Sequence, residues 1–175
     1  EETHVETKVF FFFFLKIENN DIDSKIISPI LTSQTEDEIF KLAFESGKYS
    51  RFNLDKGFTN KEFENLYIQW INNAFLKDKE NSVLVYQDQE KLLGLITFTR
   101  IKNTFKIGLF AVNSNFGRSG IGSQLIRAVE KIASDLIIEK IIIPTQLENV
   151  VACNFYKKLG YTIQEKIIIK HFWRK

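Results

Sequence analysis

The segment from Ile107 to Ala133 constrains the fold more than any other part of the sequence, because a strand, a glycine loop and a helix follow one another directly. An apolar run ends at Val112 and predicts a buried strand, and the turn-forming residues 113–115 end it. Glycines follow at three positions, and from Ile121 the apolar residues recur every three or four positions. The glycine loop therefore lies at the N-terminus of a predicted amphipathic helix.

A glycine loop in this position indicates a phosphate-binding site. The first turn of a helix has backbone N–H groups without partners, and it carries the positive end of the helix dipole. Glycine allows the backbone to approach a bulky phosphate closely. The pattern is also that of an ordinary tight turn, but we expect a pyrophosphate cradle formed by Gly117, Arg118, Ser119, Gly120, Ile121 and Gly122.

A second strand and helix follow in the order that a ligand groove needs. The strand at Ile141–Ile143 is β-branched, and Pro144 after it fits a strand end, an edge or a bulge. Asn149 is a typical N-cap for the next helix, and Gly160 is a typical terminator.

These two segments resemble the GCN5-related N-acetyltransferases. In that family the acetyl-CoA loop reads Gln/Arg-x-x-Gly-x-Gly/Ala, and a later helix reads Asn-x-x-Ala, then aromatic-Tyr, then Gly-aromatic. The Gln/Arg position falls on Gly117 here, and Arg118 lies one place later. The resemblance runs from about residue 92 to the C-terminus. The matching residues are Gly120, Gly122, Asn149, Ala152, Phe155, Tyr156, Gly160 and Tyr161.

The resemblance implies an α/β fold with a mixed, mostly antiparallel central sheet flanked by helices, and one N-acetyltransferase domain over residues 1–175. It implies acetyl-CoA as cosubstrate, with no metal. The glycine loop would hold the pyrophosphate, Asn149 would contact the pantetheine arm, and Tyr156 would be the catalytic acid. The thioester carbonyl would be polarised by the backbone N–H groups of Leu109, Phe110, Ala111 and Val112.

The sequence motifs that would bind the amine acceptor are less specific than the acetyl-CoA pattern. The polar and aromatic loop 46–55 and the helix that follows it resemble acyltransferases of nucleotide-linked amino sugars, of the TDP-fucosamine type. The terminal residues His171, Phe172, Trp173 and Arg174 are similar to the final strand of that group. This resemblance implies acceptor contacts from Tyr49, Arg51 and His171, with Arg51 at the diphosphate because its planar fork suits phosphate oxygens. An ordinary surface loop is the alternative.

Several functional alternatives stay open at this point. The acceptor amine is that of a nucleotide-linked amino sugar, a protein or a small amine, and a non-catalytic acyl-CoA-binding module would retain the glycines without needing Tyr156. The general base is equally open. Its candidates are Glu148, Tyr49, His171 and a chain of water molecules.

Composition fits one domain with an ordinary core, because 44% of the 175 residues are apolar and 17 are phenylalanine. A net charge of +2 with scattered lysines gives no support for nucleic-acid binding. Cys153 is the only cysteine, which excludes an internal disulfide and predicts a cytoplasmic protein. We expect Cys153 to be a buried thiol and not a reactive nucleophile. We expect a monomer or homodimer.

The run Phe10–Phe14 is too short to cross a bilayer, which takes about 20 residues, so we predict a buried first strand and no membrane partner. Two Thr-x-x-Glu capping boxes then predict helices that begin after Thr35 and Thr59. Residues 83–86 and 92–99 predict a hairpin, and the strand 105–112 follows it. Helix, strand, helix and strand complete the chain.

Overall fold

A mixed seven-stranded β-sheet forms the centre of the fold in the computed structural model, which describes residues 2–15, 21–76 and 80–173. The strands are β1 Glu2–Phe14, β2 Ile26–Ile27, β3 Asn81–Asp88, β4 Lys91–Ile101, β5 Thr104–Val112, β6 Lys140–Gln146 and β7 Thr162–Phe172. The helices are α1 Glu36–Ser46, α2 Arg51–Leu54, α3 Asn60–Ala74, α4 Ile121–Asp135 and α5 Val150–Lys158, and a 3₁₀ turn covers Ser114–Phe116.

The strands lie in the order β2-β3-β4-β5-β6-β1-β7. The predicted hairpin is confirmed, since β3, β4 and β5 pair antiparallel in succession. Among the described strands, β5 and β6 form the one parallel pair. The prediction of a mixed, mostly antiparallel sheet flanked by helices is therefore confirmed.

The N-terminal strand does not lie at an edge of the sheet. It lies between β6 and β7 and is antiparallel to both, with Phe11 opposite Ile143 on β6. Val9 and Phe11 are fully buried, whereas Phe14 is 64% exposed. Successive side chains of a strand point to opposite faces of the sheet, so a continuous apolar run is buried only in part. The same alternation places Glu6 and Lys8 on the face opposite Val9.

Helices cover both faces of the sheet. On one side, α4 and α5 pack over a core that includes Val9, Phe11 and Ile141. On the other side, α1 and α3 pack over a core that includes Ile39 and Ile71. Within the described residues, no helix combines the length and the apolar character that crossing a membrane requires.

The two predicted capping boxes have different outcomes. The box at Thr59 is confirmed, because its hydroxyl accepts from the Glu62 N–H and the Glu62 carboxylate accepts from the Thr59 N–H. The box at Thr35 is wrong. The Thr35 hydroxyl donates to the Ile30 carbonyl at 2.8 Å, and Glu38 instead accepts from the Leu92 N–H at 3.2 Å. The Glu38 carboxylate is bound to the backbone of β4 and is therefore not available to cap α1.

Candidate active site

A cleft forms where β5 and β6 separate. The two strands pair only from Thr104 to Lys106 on β5 and from Lys140 to Ile142 on β6. Pro144, which has no N–H for a ladder, lies beyond the last pair. A cavity of about 890 Å³ occupies the cleft and extends from the glycine loop to the residues around Arg51.

A β-bulge in β5 sets the direction of the backbone along this cleft. The pairing of β4 with β5 shifts register between Ile96 and Phe98. A side chain at Gly108 would lie 2.7 Å from the Thr97 hydroxyl oxygen, so glycine permits this close approach. The Leu109 N–H donates to that same oxygen at 2.8 Å. The Leu109 donor is therefore occupied on the β4 side.

Two backbone donors on β5 face the open cleft. The Asn113 N–H donates to the Leu93 carbonyl on β4, as the Leu109 N–H donates to Thr97. N–H groups alternate in direction along a strand, so the Ala111 N–H points to β4 and those of Phe110 and Val112 point to the cleft. All four residues line the cavity, as expected. Of the four N–H groups predicted to polarise the thioester carbonyl, those of Phe110 and Val112 are therefore the ones free to do so.

The glycine loop ends at α4, which begins at Ile121 as predicted. The first bond within the helix runs from the Gln124 N–H to the Gly120 carbonyl at 3.0 Å, and no side chain caps this end. The N–H groups of residues 121–123 consequently have no acceptor within the helix. The loop and these N–H groups line the same cavity.

Backbone conformation in the loop fits a bound diphosphate. Gly120 has φ +87° and Arg118 has φ +64°, so left-handed residues alternate with others along the loop. This alternation turns successive N–H groups toward a common concavity that binds anions. A Cβ at Gly120 would meet no atom within 4 Å, which leaves open space beside those donors. The departure at Gly117 leaves this backbone arrangement intact.

Helix α5 carries the next two predicted residues. The Asn149 side chain caps the helix by accepting from the Ala152 N–H at 3.1 Å, and Asn149 also lines the cavity. Tyr156 lies in the last turn of the helix, and it lines the cavity although only 3% of it is exposed. Its ring contacts Phe11 and Phe110.

The Tyr156 hydroxyl is suited to donating a proton. Burial raises the pKa of this phenol well above its ordinary value, and the nearby Cys153 adds to the rise. The phenol therefore keeps its proton at neutral pH. Within the described part of the chain the hydroxyl makes no hydrogen bond, so it can donate to a group in the cavity. Cys153 is buried, as predicted, and burial raises the pKa of its thiol.

Tyr49 and Arg51 lie at the other end of the cavity. The loop predicted there contains the one-turn helix α2, which begins at Arg51. Arg51 is paired with the buried Glu6 of β1, since its Nη1 lies 3.3 Å from Oε1 and its N–H donates to Oε2 at 2.8 Å. Its guanidinium also lies 4.4 Å from the centre of the Phe52 ring. Glu6 therefore neutralises part of the positive charge of Arg51, which the sequence predicts to bind the diphosphate of the acceptor.

His171, which the sequence predicts to contact the acceptor, does not line the cavity. Its Nδ1 lies 2.5 Å from the Asp55 carboxylate, which also accepts from the Trp173 indole and from the Gly57 N–H. Burial alone would raise the pKa of Asp55, but these hydrogen bonds together lower it. The cluster ties β7 to the turn after α2. Arg174 lies outside the described residues.

The candidate general bases also differ in whether they line the cavity. Tyr49 lines the cavity. Glu148 does not, and its carboxylate accepts from the Thr7 N–H at 3.4 Å.

Lys8 is a cavity residue that the sequence analysis missed. It lies on β1 opposite Gln146, and its side chain lines the cavity beside Arg51. Two charges at alternate positions before a phenylalanine run, Glu6 and Lys8, are the sequence signal that would have indicated it. A charged face on a strand inside a sheet needs a reason, and here that face borders the cavity.

Comparison with known proteins identifies a family that the sequence of this chain matches. The model of the acetyltransferase (GNAT) family matches residues 39–161, and no curated protein matches the sequence. Among solved structures, a conserved protein of unknown function from Staphylococcus epidermidis has a TM-score of 0.66 at 16% identity, over 94% of this chain and 60% of its own. A GNAT-family putative acetyltransferase from Novosphingobium aromaticivorans has a TM-score of 0.65 at 14% identity, over 97% of this chain and 65% of its own.

A third structure matches along nearly its whole length. The PaiA N-acetyltransferase from Thermoplasma acidophilum, solved in complex with coenzyme A, has a TM-score of 0.66 at 18% identity, over 83% of this chain and 99% of its own. By contrast, this chain spans less than two thirds of the length of the first two structures. At these identities the likenesses show a shared fold.

Proposed function

Because the chain belongs to the GNAT family of acetyltransferases, we propose that it transfers the acetyl group of acetyl-CoA to a primary amine. One observation carries the proposal: a single cavity joins the N–H groups at the start of α4, the open edge of β5, the Tyr156 hydroxyl and the residues around Arg51. The coenzyme A in the PaiA complex supports the same cosubstrate here.

The residues of the cavity divide the chemistry between them. When bound, acetyl-CoA supplies the thioester carbon that the amine attacks and the thiolate that leaves. The backbone N–H groups of Arg118 and of residues 120–123 hold the pyrophosphate, since the Ser119 N–H already donates to the Phe116 carbonyl at 3.3 Å. The N–H groups of Phe110 and Val112 donate to the thioester oxygen and stabilise the charge that develops there.

Two proton transfers complete the reaction. The Tyr156 phenol, which burial keeps protonated at neutral pH by raising its pKa, donates its proton to the departing sulfur. Tyr49 or a chain of water molecules takes the proton that the amine loses. Asn149 contacts the pantetheine arm through its amide nitrogen, since its oxygen already caps α5.

For the acceptor we propose the amine of a nucleotide-linked amino sugar, as the sequence resemblance implies. Aromatic side chains line the acceptor end of the cavity together with the Arg51 cation. A peptide substrate with basic side chains would need an acidic groove, whereas Glu45, the one carboxylate among the described residues that line the cavity, is paired with Lys48 at 3.8 Å.

A panel assay of CoA release tests the proposal. Acetyl-CoA would be presented with nucleotide-linked amino sugars, free amino sugars, polyamines and lysine peptides. We expect turnover with at least one amine, and with nucleotide-linked amino sugars above their free counterparts. Tight acetyl-CoA binding without turnover on the whole panel would instead indicate a non-catalytic acyl-CoA-binding module.

A further inference from the structure

A second cavity opens on the acceptor side of the cleft. It has a volume of about 310 Å³ and borders the first, because Lys8, Trp70 and Gly108 are among the residues that line both. We call this second cavity the side chamber. Gly108 lies directly before the cleft-facing part of β5, so a molecule in the side chamber is adjacent to the reacting end of the main cavity.

The side chamber has a positive lining. Lys8 and Lys106 both line it, and no carboxylate does among the described residues. The remaining polar groups of the lining are neutral, and they include Asn73, Thr97 and Thr99. The chamber therefore offers cations and neutral hydrogen-bonding groups, which is the chemistry that an anion requires.

Among the residues that the structure describes, Lys8 forms no ion pair of its own. The nearest acid on its strand face is Glu6, which is already committed to Arg51 by two contacts. Burial lowers the pKa of Lys8, and the neighbouring charge of Arg51 lowers it further; Glu6 opposes this with a smaller effect, and Lys106 adds the smallest lowering effect. A partly buried ammonium among like charges is costly unless an anion joins it.

From this geometry we propose that the side chamber binds an acidic group of the amine acceptor, with Lys8 as its main contact. The inference rests on the proposed acetyl transfer and narrows its substrate class to amines that also carry a carboxylate or a phosphate close to the amine. Arg51 has Glu6 as a partner, so the acid of the acceptor goes to Lys8 first, with Lys106 at the outer side.

A binding experiment tests the site without any turnover. Trp70 lines both cavities, so its fluorescence should respond when inorganic phosphate or malonate is titrated into the protein. We expect saturable binding of at least one probe, weakened about 10- to 100-fold in Lys8→Met, the range of one or two charge-assisted hydrogen bonds. Lys8→Arg should retain it. Lys61→Met, on the exposed side of α3, is the matched control and should leave it unchanged.

The choice of probe separates the two sources of the acid. Tighter binding of phosphate indicates a phosphorylated or nucleotide-linked acceptor, and tighter binding of malonate indicates a carboxylate. Some phosphate will also bind at the glycine loop, so the decisive quantity is the part lost in Lys8→Met and kept in Lys61→Met. Equal binding in wild type and Lys8→Met, or no saturable binding of either probe, overturns the proposal.

Matched amines test the site during catalysis. Glycine with glycinamide, and phosphoethanolamine with ethanolamine, differ in the acid, and because the acid also changes the pKa of the amine, kcat/KM is compared per unprotonated amine. We expect the acid-bearing member of at least one pair to have the higher kcat/KM, and Lys8→Met to remove that preference through KM. An equal fall in kcat for charged and neutral amines would assign Lys8 to proton transfer and overturn the proposal. If anions bind in a Lys8-dependent way but no amine is acetylated, the anion site in the side chamber is supported and the proposed acetyl transfer is contradicted.

Discussion

At the scale of the residue, Tyr156 is the group on which the proposed chemistry depends most. Proton donation to a leaving group typically contributes about 10² to 10⁴ in rate, so Tyr156→Phe should lower kcat by that factor. Its ring packing against Phe11 and Phe110 remains, and the hydroxyl gives up no hydrogen bond within the described residues. The melting temperature and acetyl-CoA affinity should stay near wild type. Stopped-flow CoA release and calorimetry measure these quantities.

Tyr161 provides the matched control for this substitution. It is equally buried, but its hydroxyl donates to Glu130 at 2.9 Å and it does not line the cavity. Tyr161→Phe should therefore lower stability by about 1 kcal/mol and leave kcat unchanged. A Tyr156→Phe enzyme with wild-type kcat, measured where chemistry limits the rate, would remove Tyr156 from the mechanism.

Asp55 gives a second residue-scale prediction, which concerns pH. Its pKa is lowered in the folded protein, so its ionised form stabilises the fold above the ordinary carboxyl pKa, and that contribution is lost as the pH falls through the folded value. Asp55→Asn should lower the free energy of unfolding by about 1 to 3 kcal/mol near neutral pH, and the difference from wild type should shrink below about pH 4. Urea unfolding at several pH values measures it.

The control for Asp55 is an exposed acid. Asp135 pairs with Lys131 on the surface of α4, with 58% of its side chain exposed, and Asp135→Asn should change stability little at any pH. A difference between Asp55→Asn and wild type that did not depend on pH would contradict the assignment of Asp55 as the ionised centre of the cluster.

At the scale of the element, the start of α3 makes a quantitative prediction. Thr59→Ala removes the hydroxyl that accepts from the Glu62 N–H, which should cost about 1 kcal/mol and lower the melting temperature by about 2 to 4 °C. Thr59→Ser keeps the hydroxyl and should remain close to wild type. Differential scanning calorimetry distinguishes the two, and equal losses would indicate that the threonine methyl group, and not the cap, stabilises the helix.

Local signals predicted most elements, and tertiary contacts account for the differences. The box at Thr59 and the cap at Asn149 form because their partners lie within one turn of the same helix. The box at Thr35 fails because a strand 54 residues away takes the Glu38 carboxylate. The sequence likewise could not place β1 between β6 and β7, since strand order depends on pairings that no local pattern encodes.

At the scale of the whole molecule, the candidate site is made by the sheet opening between β5 and β6. The glycine loop, Asn149 and Tyr156 were predictable because a family pattern contains them at fixed spacing. The pairing of Arg51 with Glu6 was not, because it joins β1 to α2 across 45 residues of sequence. The position of His171 outside the cavity was not predictable for the same reason, since its partner Asp55 is 116 residues away.

The central claim is that the cosubstrate lies across the start of α4 and the open edge of β5. Backbone amide chemical shifts, followed by NMR while coenzyme A is added, test it most directly. We predict that the largest shifts fall on the amides of Arg118, of residues 120–123, and of Phe110 and Val112, with little change at the Leu109 amide, which already donates to Thr97. Saturation by coenzyme A with the glycine-loop amides unmoved would contradict the account.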